Sequence, residues 1–78
     1  MKTDEQLQTY LHTELVPAYN ALGLNNAVGV VAEVLGDFRR LLNRDAKPQE
    51  IEWFARLKNT RPNITNEQID ALVLECLR

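Results

Sequence analysis

The sequence predicts an all-α protein, a small bundle of about four helices around one central, buried helix at residues 26–44. Three observations predict it. Stepping about 100° per residue, residues 27–42 place their apolar side chains on one side of a helix. The run VVAEVLGDF within them does not alternate as a strand must. Two other stretches, Thr3-Asp4-Glu5-Gln6 and Thr65-Asn66-Glu67-Gln68, open with the same helix-capping pattern.

The first helix is expected over residues 4–22. Thr3 caps it, Gln6 reaches back to the cap, and Asp4 and Glu5 complement the positive end of the helix dipole. Leu7, Tyr10, Leu11, Leu15, Ala18 and Leu22 recur at helical spacing. Pro17 removes the hydrogen bond to the Thr13 carbonyl and crowds that turn, so this helix is predicted to be kinked or broken there. Gly23 suits the left-handed position that ends a helix.

Asn25 or Asn26 caps the central helix. Ala27, Val28, Val30, Val31, Val34, Leu35, Phe38, Leu41 and Leu42 fill an arc of roughly 160°. An arc that wide needs more than one neighbour. Glu33, Asp37, Arg40, Asn43 and Arg44 are assigned to the opposite, solvated side. Gly29, Ala32 and Gly36 line one edge of the arc, and each glycine costs about 1 kcal/mol against alanine. One reading that offsets this cost is a second helix crossing close over the small side chains; the other is that Gly29 sits in a frayed first turn and Gly36 marks a kink.

Pro48 opens a third helix at residues 48–58, with Ile51, Phe54, Ala55 and Leu57 as its buried stripe and Trp53 at the margin. Glu52 and Arg56 form a surface pair four residues apart, worth about 0.2–0.5 kcal/mol. Pro62 separates this helix from the last, at residues 66–77. There Ile64 and Ile69 are spaced as a hydrophobic staple. Ile69, Leu72, Val73, Cys76 and Leu77 form the apolar face, and Leu74 points away from it.

Composition bounds the rest. Seventy-eight residues, 45% of them hydrophobic, suit one folded domain over 1–78. The apolar runs are too short for a bilayer span, and MKTDEQLQTY lacks the apolar core of a signal peptide, so the expected compartment is cytoplasmic. Net charge is −2 but uneven. Residues 39–61 carry a net +4, with net −4 before them and net −2 after. The excess is mild, so the basic middle is expected to pair with the acidic ends in the fold.

Catalytic chemistry is sparse. There is no serine, one histidine (His12) and one cysteine (Cys76), the last on an apolar helix face where a small buried hydrophobe is the usual role. His12 has no carboxylate at the spacing a metal site would use. No glycine-rich phosphate loop is present. The sequence therefore predicts no catalytic residue, cofactor, metal or small-molecule substrate. The expected function is a non-enzymatic interaction or regulatory module. It would be accessory or inhibitory, of a bacterial or phage kind, and would act by occupying the surface of another protein or of a second copy. Val30, Trp53 and Leu74 are the candidate contact residues, because each is apolar and off or at the edge of its buried face. The alternative is nucleic-acid binding through Arg56, Lys58 and Arg61 near the end of the third helix.

Overall fold

The computed structural model describes residues 1–77. Among them are four helices and no strand. Helix α1 is one continuous rod in three segments: α-helical at Asp4–Tyr10, a wider π turn at Leu11–Leu15, and α-helical again at Val16–Ala21. Helix α2 begins with a 3-10 turn at Asn25–Ala27, continues as Val28–Asp37, and ends in a second π turn at Phe38–Leu42. Helix α3 is Pro48–Thr60, and α4 is Asn66–Glu75.

The two threonine caps act as their residues dictate, whereas neither Asn25 nor Asn26 caps α2, whose start carries no side-chain cap. The Thr3 hydroxyl accepts from the Gln6 N–H at 3.1 Å, and the Thr3 N–H donates to Gln6 Oε1 at 2.9 Å. Thr65 and Gln68 repeat the exchange at 3.2 and 3.0 Å. Gly23 takes φ +76°, and Asn43 ends α2 in the left-handed region at φ 54°.

Pro17 neither breaks α1 nor ends it. The π turn ends at Leu15, two residues before it, with the Val16 N–H donating to Leu11 O, five residues back. This widening changes which residues face inward. Leu7, Leu11, Leu15 and Tyr19 are the buried ones, each four apart. On a regular α-helix every four-residue step overshoots by about 40°. The wider turn takes up part of that drift and keeps all four on one face. Ala18 and Leu22, expected inside, are exposed, and Leu24 beyond the helix end is buried instead.

The core has two parts that meet on α2. The first joins Leu7, Leu11, Leu15, Tyr19 and Leu24 to Ala27, Val31 and Leu35 of α2 and to Ile51 and Ala55 of α3. The second joins Val30, Val34 and Phe38 of α2 to Phe54 of α3 and to Ile69 and Val73 of α4. Phe38 and Phe54 meet edge to face, ring centres 6.1 Å apart. Ile64 packs against this second cluster beside Ile69, as a staple should. Leu77, expected on the apolar face, is exposed, because the α-helical part of α4 ends at Glu75.

Two expectations about α2 are corrected. No helix crosses close over Gly29 and Gly36, since a Cβ at either would meet nothing within 4 Å. Ala32 and Gly36 instead floor an open cleft of about 390 Å³ between α1 and α2, walled by Leu7, Leu11 and Leu35. Asp37, assigned to the solvated side, is 5% exposed. On the wheel it lies only about 20° beyond Val30, and α4 covers that edge.

Candidate functional site

The three apolar contact candidates separate. Val30 is 8% exposed and belongs to the second core cluster, so it has no surface to offer. Its place at the rim of the arc is where α4 lands. Leu74 is 45% exposed on the outer side of α4. Trp53 is 50% exposed on α3, and its ring stands edge to face on the buried Phe54 with centres 4.9 Å apart. The core therefore fixes the orientation of a side chain whose other half meets solvent.

Most of the basic middle is engaged within the fold. Arg39 donates to Asp4 Oδ1 at 3.0 Å and to Asp45 Oδ1 at 3.1 Å. Asp45 also accepts from the Lys2 backbone N–H at 2.9 Å. Burial pushes the Asp45 carboxyl up, but the Lys2 amide and Arg39 outweigh it and hold it below the usual range. Arg44 makes a two-pronged pair with Glu50, 2.8 Å on each prong, and donates to the carbonyls of Asp45 and Cys76. Arg44 holds the Glu50 carboxyl below its ordinary range. The Arg44 guanidinium also lies 5.0 Å from the centre of the Phe38 ring.

The nucleic-acid candidates are only partly engaged. Arg56 pairs with Glu52 at 3.5 Å across an exposed turn. Lys58 donates to the Pro62 carbonyl at 2.7 Å, closing the α3–α4 loop. Arg61 is exposed in that loop.

Sequence reasoning missed one site, centred on Asp37. Arg40 Nη2 bridges two carboxylates there, Asp37 Oδ1 at 2.7 Å and Asp70 Oδ2 at 3.3 Å, tying α2 to α4. One oxygen from each of Glu33, Asp37 and Asp70 lies within 4.8 Å of the others. Two carboxylates thus share one guanidinium, with a third, Glu33, beside them. Burial, then the neighbouring Asp70, pushes the Asp37 carboxyl up to about 6 despite Arg40. The neighbouring Asp37 carboxyl, then Arg40, holds Asp70 low. Burial and Asp70 raise Glu33. The available signal was that Asp37 neighbours Val30 on the wheel.

The isolated thiol and imidazole stay apart in role. Cys76 is half-buried, its thiol donates to the Leu72 carbonyl at 3.5 Å, and burial raises its pKa. His12 is exposed on α1. Among the described residues, no helix is long and apolar enough to cross a membrane. No protein-family model matches the chain, and neither a curated protein nor a solved structure matches it.

Proposed function

We propose that this chain is a small, non-enzymatic interaction module. It acts in the cytoplasm as an accessory or inhibitory protein, by covering a surface of another protein or of a second copy. One observation supports the reading above all: Trp53 is half-exposed yet held edge-on by buried Phe54. A large aromatic ring with one side fixed and one side bare loses little side-chain freedom on docking. Such rings anchor interfaces more often than their abundance suggests. The pairing of Arg39, Arg40 and Arg44 with carboxylates leaves the nucleic-acid alternative with Arg56, Lys58 and Arg61, near the end of α3.

Trp53 is the sole tryptophan, so intrinsic fluorescence reports on it directly. Light scattering over a concentration series, together with affinity capture, compares the parent chain with Trp53→Ala. A parent that associates, or captures a defined protein with a blue shift of Trp53 emission, while Trp53→Ala does neither, supports the reading. A parent that stays monomeric and captures the same proteins as Trp53→Ala overturns it. Low-salt retardation of DNA or RNA that weakens in Arg56→Ala, Lys58→Ala and Arg61→Ala would move the assignment to nucleic acid.

A further inference from the structure

We propose that Asp37, Asp70 and Arg40 form a proton-operated latch, in which one proton shared between the two carboxyl groups closes α4 onto α2 and its departure to water loosens that helix. The geometry carries this. Arg40 Nη2 satisfies one oxygen of each carboxylate, Asp37 Oδ1 and Asp70 Oδ2. The remaining oxygens, Asp37 Oδ2 and Asp70 Oδ1, are both shut off from solvent and have no donor. An oxygen of Asp37 lies within 4.8 Å of one of Asp70, and buried acceptors without a donor are costly. A single proton between them turns one into a donor and satisfies both.

The charge count points the same way. The charged groups facing Asp37 are Glu33 and Arg40 on its own helix and Asp70 on α4. No residue of α1 or α3 is among the groups that shift the Asp37 carboxyl. With the proton bound, two carboxylates face one guanidinium; without it, three do. The buried Asp37 is the group that keeps the proton, its carboxyl pushed up to about 6 by burial first and Asp70 second. An acid whose folded pKa is raised stabilises the closed form at low pH. That contribution declines as pH rises from the ordinary aspartate range through about 6.

What the latch controls is apolar surface. Ile69 and Val73 of α4 cover Val30, Val34, Phe38 and Phe54, so loosening α4 uncovers part of the second core cluster. The far end of α4 keeps a separate tie, Arg44 to the Cys76 carbonyl at 2.6 Å. The latch does not depend on the docking role proposed for Trp53.

Amide hydrogen exchange tests it. Protection factors of α4 and of α3 are followed in the parent and in Asp37→Asn from about pH 4.5 to about pH 7, with the Asp37 carboxyl carbon titrated by NMR. In the parent, α4 protection should fall selectively across this range, by at most about thirtyfold, while Asp37 titrates near pH 6. Asp37→Asn places an amide donor where the shared proton sat, so its α4 protection should be flat with pH and exceed the parent's near neutrality. If that variant does not fold, Asp70→Asn offers the same donor from the more exposed partner and should also be flat. A parent whose α4 protection does not change with pH, or an Asn variant that keeps the slope, overturns the proposal. So does restoration of α4 protection at neutral pH by millimolar calcium or magnesium, which would make the cluster a cation site.

Discussion

The two edges of the central helix differ in what covers them. On one edge, Val30 and Asp37 lie under α4, and both are buried although one is apolar and the other a carboxylate. On the other, Ala32 and Gly36 face an open cleft that α1 spans without closing. Burial at the rim of an apolar arc therefore follows from which neighbour arrives there, not from the side chain itself. A carboxylate trapped by such a neighbour becomes a titrating contact. Small residues left bare become a shallow depression.

The middle of the arc belongs to neither edge, and it shows the largest expected effect. Val34 is fully buried, and Val34→Asp would place an unpaired charge among Phe38, Phe54 and Val73. The chain should lose its helical circular dichroism at room temperature. Ala32→Asp on the open edge should stay folded and cost no more than roughly its helix-propensity difference, about 0.5–0.7 kcal/mol. Should Val34→Asp melt like the parent, α2 is not the centre of the fold. An equal loss in Ala32→Asp would mean that the two edges do not differ.

This contrast also marks where the sequence was legible. The helix starts at Asp4, Pro48 and Asn66 were readable because a cap or a proline is decided within a few residues. The apolar arc of α2 was readable because it depends only on local spacing. Asp37 and Val30 were misplaced because their burial is set by α4, a segment some thirty residues on. A wheel of fixed pitch puts Ala18 inside, whereas the π turn before Pro17 shifts the inward face to Tyr19. Trp53 and Leu74 kept their expected positions, since no later segment lands on them.

An effect of intermediate size separates the polar tie to α3 from the one to α4. Glu50 meets Arg44 prong for prong and also accepts the Lys47 N–H at 2.8 Å. Its pKa is lowered, so its contribution is full above the ordinary glutamate range and is lost as pH falls from there through the lowered value. That is the reverse of Asp37, whose contribution is lost as pH rises through about 6. Glu50→Gln should cost about 1–3 kcal/mol near neutrality, and the gap to the parent should close in acid. Urea titrations at the two pH values measure it. A gap that widens in acid would contradict the sign.

The smallest expected effect is also the most direct probe of the open edge, and its sign is favourable. Gly36 lies inside the Val28–Asp37 segment with a negative φ, so alanine fits its backbone without strain. The added methyl meets nothing within 4 Å. Only two consequences remain: less chain entropy lost on folding, and a better helix former in the interior. Together they should stabilise Gly36→Ala by about 0.4–1 kcal/mol, seen as a rise in the urea midpoint at an unchanged slope. A destabilised Gly36→Ala would mean that something occupies the cleft in solution, and the close-crossing role for the glycines would return with it. A larger methyl count sharpens the point. Gly36→Val should surrender part of the gain through its restricted χ1 rather than through a clash, so alanine should remain the more stable of the two while both stay folded.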